Sequence, residues 1–303
     1  MVKTRKRHVK GADKKKKTKN TTFKSINCSP SAPFDSKPYT CFTDDVLRQL
    51  AEKWNMRHPD DLVEVSGSRK TWEQLRVKMQ SVCHTESCWL RQPFVNNPEF
   101  TREMTRTLFM PPRPPSWRAN PSEWLTSTDI TRVMRRYERA YPSFVFIGPS
   151  PIDYYHRYSD GKCVWDELCN LSIAKMLSRG KTKIGIVFNT DPHYKEGSHW
   201  VSMFVNLKEK YIFFMDSTGD PPQRPIQKLM TCIMGQSKKL GAPLRKIICK
   251  QKHQRRNTEC GMYCLFAIIG QLTGEHGADK LCEERISDDD MAALRDKYFN
   301  HHL

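Results

Sequence analysis

One stretch constrains this chain more than any other: the uncharged, largely apolar Met262–Leu272, headed by Cys260-Gly261 and preceded by short β-rich runs. It falls well short of the roughly 20 apolar residues that a membrane span needs, so it reads as a helix buried inside a folded domain. The runs Ile184–Phe188, Trp200–Val205 and Tyr211–Met215 carry strand composition and are separated by turn residues. A buried helix that follows such a series of strands is an α+β pattern. It differs from the strand–elbow–helix order of G-x-S-x-G hydrolases and from a dinucleotide-binding βαβ unit.

Helical periodicity marks the other elements. Val46, Leu47, Leu50, Ala51 and Trp54 share one face of a helix over 44–55, with Thr43 or Asp44 as its N-cap. Trp72, Leu75, Met79 and Val82 do the same over 68–82. A weaker segment within 98–109 ends at the proline-rich stretch 110–115. Further helices are expected over 128–140, 164–177, 223–236 and 287–298, and strands over 144–147 and 246–250. No internal repeat is visible.

Charge separates the N-terminus from the rest. Residues 1–24 hold eleven Lys and Arg against the single acid Asp13, a charge of +10 out of +18 for the whole chain. With almost nothing apolar to bury, this segment is expected to be a disordered tail. It suits contact with nucleic-acid phosphates or nuclear targeting, and the plain alternative is a solubilising tail. Residues 25–41, with Pro30, Pro33 and Pro38, read as a linker. No apolar leader opens the chain and no membrane contact is expected. The cysteines number eleven, an odd count, which predicts mostly reduced thiols rather than a secreted disulfide scaffold.

Four residue types then occur in a telling order: His199, Asp216, Gln254 and Cys260. Cys260 stands at a helix start, where free N–H groups and the helix dipole stabilise a thiolate. His199 opens a strand, so its ring can project from the strand end as the partner base. A short turn with Asn206 opposite Glu209 would make His199 and Asp216 near cross-strand neighbours; such partners have Cβ atoms roughly 5 Å apart. An acid there orients the ring, selects its tautomer and favours its charged form. Gln254 can donate its amide to an oxyanion together with the backbone N–H of Cys260. Cys264, one turn into the helix, reads instead as a buried inert thiol. Cys83-His84 and Cys88 lack a convincing fourth zinc ligand, so a disulfide or free thiols are expected and no metal or cofactor is implied. Six basic residues lie within 245–256 without an acid; they suit a polyanion, the substrate or a solvated loop.

This order and spacing resemble the ubiquitin-like-protein (SUMO) protease superfamily, which includes adenovirus-type maturation proteases. The segments 146–153, 163–169, 188–193 and 257–262 resemble the cysteine proteases of large nucleocytoplasmic DNA viruses. The likeness is strong over about 140–275 and weak over the helical region. It implies a papain-like core, a central mixed sheet with the nucleophile at a helix N-terminus, plus an N-terminal helical region. On this reading residues 25–125 form a linker and accessory arm, and residues 126–303 a catalytic domain. The resemblance implies His199, Asp216 and Cys260 as catalytic residues, Gln254 as the oxyanion donor, and hydrolysis after glycine in Gly-Gly-X or Gly-X. Trp200 is the candidate wall of a glycine-selecting tunnel, with core packing as the equal alternative. The expected role is processing of viral structural or core precursors, in the virion and host cytoplasm or in the nucleus. The alternatives are a SUMO-type deconjugating protease and a non-catalytic, basic DNA-binding virion protein.

Overall fold

The computed structural model describes residues 28–30 and 39–300; the basic tail 1–24 and most of the linker lie outside the described residues. The main body is built on one sheet whose strands lie side by side in chain order. They are β1 (Phe144–Pro151), β2 (Lys183–Asn189), β3 (Trp200–Asn206), β4 (Tyr211–Met215) and β5 (Arg245–Cys249). The outer pairs β1–β2 and β4–β5 are parallel, whereas β3 runs antiparallel to both of its neighbours. The sheet is therefore mixed, as the sequence led us to expect.

Eleven α-helices accompany it among the described residues: α1 (Asp44–Arg57), α2 (Ser68–Met79), α3 (Glu86–Trp89), α4 (Pro98–Leu108), α5 (Ser127–Ala140), α6 (Asp166–Cys169), α7 (Ile173–Ser178), α8 (Arg224–Lys239), α9 (Cys260–Thr273), α10 (Ala278–Glu283) and α11 (Asp288–Tyr298). Both faces of the sheet are covered. Phe204, Phe213 and Met215 point to the side packed by α5, α9 and α11. Ile184, Met203, Ile212 and Phe214 point to the side packed by α7 and α8. Burial on both faces is why these strands are continuously apolar rather than alternating.

The Met262–Leu272 stretch is the interior of α9, buried from Cys260 to Leu272. It approaches the sheet at Gly185, where a Cβ would lie 2.8 Å from Ile268 and 2.9 Å from Phe144. Only a residue without a side chain lets α9 sit this low, and that depth sets the height of Cys260 over the strand ends.

A third apolar cluster, from Phe42 to Phe109, makes the arm its own core of α1 to α3 with α4 packed alongside. Thr43 caps α1, accepting from Val46 N. The carboxylate of the fully buried Glu86 accepts from Cys41 N at 2.8 Å and Trp72 Nε1 at 2.5 Å. The arm is fastened to the main body by backbone acceptors. Arg136 Nε donates to Phe109 O at 3.0 Å, and Asn300 exchanges bonds with Pro111 O and Arg113 N.

Three expectations need correcting. The helix over 164–177 is two short ones, α6 and α7; Ser172 caps the second by accepting from Lys175 N, so the chain restarts there. The β3–β4 ladder pairs Asn206 with Tyr211, shifted by two from the register expected, because the turn between them is longer. The cysteines are not mostly reduced: Cys28–Cys41, Cys83–Cys88 and Cys163–Cys169 are disulfide-bonded. Each pair closes a short loop that holds its two sulfurs adjacent. Cys232, Cys249, Cys260, Cys264 and Cys282 are free thiols.

Gly185→Ala is expected to lower stability by about 1–3 kcal/mol through overpacking between α9 and the sheet. Denaturant unfolding measures this, and an unchanged midpoint would show that α9 does not depend on the close approach.

Candidate active site

The site forms at one end of the sheet, where β3 begins and β4 ends. Continued past the Ser202–Met215 pair, the register sets His199 opposite Thr218 rather than Asp216. Asp216 is the diagonal neighbour, a position that a long side chain still reaches. The imidazole makes the reach, with Nε2 2.7 Å from Asp216 Oδ1. Thr218 fixes the same carboxylate oxygen, donating from N at 2.9 Å and from Oγ1 at 2.7 Å. The Asp216-Ser217-Thr218-Gly219 turn closes on itself through Gly219 N to Asp216 O, 2.9 Å.

Electrostatics couple the two groups. Burial works against a charged His199 ring, but hydrogen bonds and charge from Asp216 and Cys260 outweigh it and hold the imidazole pKa up at about 10. Burial raises Asp216 in turn, and its bonds to His199 and Thr218 more than offset this, leaving the carboxyl below its ordinary value. With Nε2 taken by Asp216, Nδ1 is the ring nitrogen left to face Cys260.

Cys260 is buried as the first residue of α9. The residue before it, Glu259, makes no side-chain cap bond to the helix. Its carboxylate turns away into a buried ion pair with Arg295, 2.9 Å, so the helix N–H groups stay available to the sulfur. Burial pushes the Cys264 thiol well above its ordinary range, as suits an inert core cysteine.

Gln254 is buried too, at 4% exposure. Its Oε1 accepts from Ser217 Oγ at 2.6 Å, and its Nε2 donates to Arg256 O at 2.5 Å. A primary amide has two N–H groups, so one remains for a further acceptor. The surrounding basic loop is met by acids from elsewhere: Arg245 pairs with Asp279, Arg256 with Asp289, and Asp288 accepts from Arg255 N.

Trp200 is half-buried at the start of β3. It packs against the core of α9 and donates Nε1 to Leu125 O at 2.9 Å. It also lines a cleft of about 360 Å³ together with Trp165, Tyr158, Asn189, Pro192 and His193; His199 and Cys260 are not part of that lining. His193 is set by Asp153, whose carboxylate lies 2.7 Å from Nδ1 and accepts from His193 N at 2.9 Å. Leu125 braces Trp200 and also fills the space over Gly261, where a Cβ would come within 2.9 Å of it. A cavity of about 390 Å³ beside α9, α10 and α11 contains none of these residues.

The structure thus brings His199, Asp216 and Cys260 into one interacting set, with Gln254 tied to the Asp216 turn. Reasoning from sequence missed Ser217, Thr218, Leu125 and the Glu259–Arg295 pair. Only the first two left a local signal, since Asp-Ser-Thr-Gly after a strand is turn chemistry. Among the described residues no group of three or more His, Cys, Asp or Glu could hold a metal, and Cys83 and Cys88 are bonded to each other. No helix there is long and apolar enough to cross a membrane.

Residues 177–302 match the Ulp1 protease family, C-terminal catalytic domain. A putative thiol protease of Acanthamoeba polyphaga mimivirus is 27% identical over 294 residues, spanning 90% of this chain and 93% of its own. A cysteine protease of African swine fever virus is 27% identical over 232 residues, 72% of this chain and 83% of its own. The fold is that of the African swine fever virus protease crystal structure, with a TM-score of 0.63 at 21% identity, over 93% of this chain and all of that one. Residues 177–302 thus carry a Ulp1-type catalytic domain, and with the thiol and cysteine proteases among its relatives the chain is a cysteine-type peptidase.

Proposed function

We propose that this peptidase cuts after glycine, at Gly-Gly-X or Gly-X sequences, and processes structural or core precursors during virion maturation. The observation that carries the catalytic part is the 2.7 Å His199–Asp216 bond, with the same ring engaged by the thiol at the start of α9. Glycine is favoured by the bulk of Trp200 next to His199, since a side chain at the residue before the cut would meet the indole. Viral precursors are favoured because the similarity to viral thiol proteases extends over the arm as well as the catalytic part. We take residues 25–125 as accessory arm and 126–303 as catalytic domain. The basic tail 1–24 suits holding the enzyme near nucleic acid at assembly sites.

The reaction starts from the thiolate–imidazolium pair. Cys260 Sγ attacks the peptide carbonyl, and the resulting oxyanion accepts from Cys260 N–H and the free Gln254 N–H. Collapse breaks the C–N bond as His199 Nδ1 gives its proton to the leaving amine, and a thioester remains. Water then attacks the thioester while His199 takes its proton, which frees the acid product and restores the thiolate. Asp216 holds the ring through Nε2 throughout.

A second reading is a SUMO-type deconjugase, favoured by the family match and by a similar African swine fever virus protein described as a SUMO-1 cysteine protease. Assaying a Gly-Gly-X peptide beside a SUMO conjugate separates the two. The first reading expects efficient cleavage of the peptide, while cleavage of the conjugate alone would favour the second.

Cys260→Ala should abolish cleavage with the fold intact by circular dichroism; retained turnover would remove Cys260 from its role. Changing the glycine before the cut to alanine should lower kcat/KM by about 10–200-fold, the range for one added methylene or methyl in a tight pocket. Equal rates would remove the selection for glycine.

The charged pair also sets a pH dependence. A His199 pKa raised from 6.5 to about 10 stabilises the fold fully below 6.5, and that contribution is lost as pH rises towards 10. The lowered Asp216 pKa contributes above the carboxylate range and is lost as pH falls through it. The destabilisation by Asp216→Asn should therefore be largest near pH 6 and shrink towards pH 10, read by denaturant unfolding. A gap that does not change with pH would mean that the pair is not charged.

A further inference from the structure

We infer that Ser217 is a positioning residue that fixes the orientation of the Gln254 amide, an inference that rests on Gln254 serving the oxyanion. Ser217 is 2% exposed and makes three bonds to His253-Gln254, two of them to Gln254 itself. Its carbonyl accepts from His253 N at 2.9 Å and from Gln254 N at 2.8 Å, and its Oγ donates to Gln254 Oε1 at 2.6 Å.

The two ends of a primary amide are nearly the same shape, so only hydrogen-bond partners decide which way it faces. Arg256 O can only accept, and it lies 2.5 Å from Nε2. A flipped amide would set two carbonyl oxygens against each other there. The Ser217 hydroxyl completes the selection by donating to Oε1, which places the oxygen away from the reaction. Both N–H groups then sit on the opposite side, one spent on Arg256 O and one free. Donation into Oε1 also polarises the amide and strengthens the remaining N–H as a donor. Because Ser217 follows Asp216 directly, the strand end that orients the base also orients the oxyanion donor. The two halves of the machinery are set by adjacent residues at the end of β4.

The test compares Ser217→Ala, Gln254→Ala and the double variant in the full chain. Two readouts are needed: kcat and KM on a Gly-Gly-X peptide, and the rate at which iodoacetamide alkylates Cys260. Alkylation uses the thiolate but forms no carbonyl oxyanion, so it reports on Cys260 and His199 alone. Ser217→Ala should lower kcat about tenfold, a fraction of the loss of a whole oxyanion donor, with KM and alkylation rate unchanged. The double variant should be no slower than Gln254→Ala, since a donor already removed cannot be misplaced. An unchanged kcat in Ser217→Ala, a parallel fall in alkylation, or additive losses in the double variant would each overturn the inference. If Gln254→Ala itself keeps full kcat, the oxyanion role of Gln254 fails first, and that outcome is distinct because it appears without touching Ser217.

Discussion

The site depends on how deeply α9 sinks into the sheet. Gly185 leaves room for Ile268 and Phe144 to meet over β2, and the whole apolar length of α9 is buried as a result. That burial fixes the height of Cys260, because it is the first residue of the helix and moves with it. Gly261 repeats the logic one residue later, where Leu125 takes the space that a side chain would occupy and braces Trp200. Packing therefore sets the height of Cys260 and the seat of Trp200 at the start of β3.

On that frame, electrostatics do the remaining work at short range. His199 is held charged by hydrogen bonds and charge from Asp216 and from Cys260, against the penalty of its own burial. Glu259 would be an unwelcome neighbour for a thiolate, and the buried bond to Arg295 draws its charge away. The Asp216–Gly219 turn supplies the acid, its Thr218 anchor and the Ser217 hold on Gln254 from three successive residues. A peptidase needs a base, a nucleophile and an oxyanion donor arranged to a fraction of an ångström, and a single strand end is an economical way to set two of them.

Much of this was legible in the sequence. The strands, the buried helix beginning at Cys260 and the α+β layout follow from apolar run lengths and order, signals that are local to each element, whereas the mixed sheet was implied by the family resemblance. His199 and Asp216 were identifiable as partners, but the pairing was put two residues out of register. The turn over 207–210 sets that register, and its length is not written in strand composition. The break between α6 and α7 was hidden because the apolar face continues through Leu171 while Ser172 restarts the chain as a cap. Ser217, Leu125 and the Glu259–Arg295 pair act through contacts between distant segments, so no local pattern marks Leu125 or Arg295. Cys28–Cys41 and Cys163–Cys169 were missed because an odd cysteine count was read as mostly free thiols, whereas short loops bring the sulfurs together.

The central claim is that His199, held charged by Asp216, makes Cys260 the reactive thiol of this chain. Mapping iodoacetamide alkylation at neutral pH across the five free cysteines tests it most directly, in the wild-type protein and in His199→Ala. The account expects Cys260 to react faster than the exposed Cys232 despite its burial, and to lose that advantage when the imidazole is removed. A Cys260 no more reactive than Cys232, or one indifferent to the loss of His199, would contradict it.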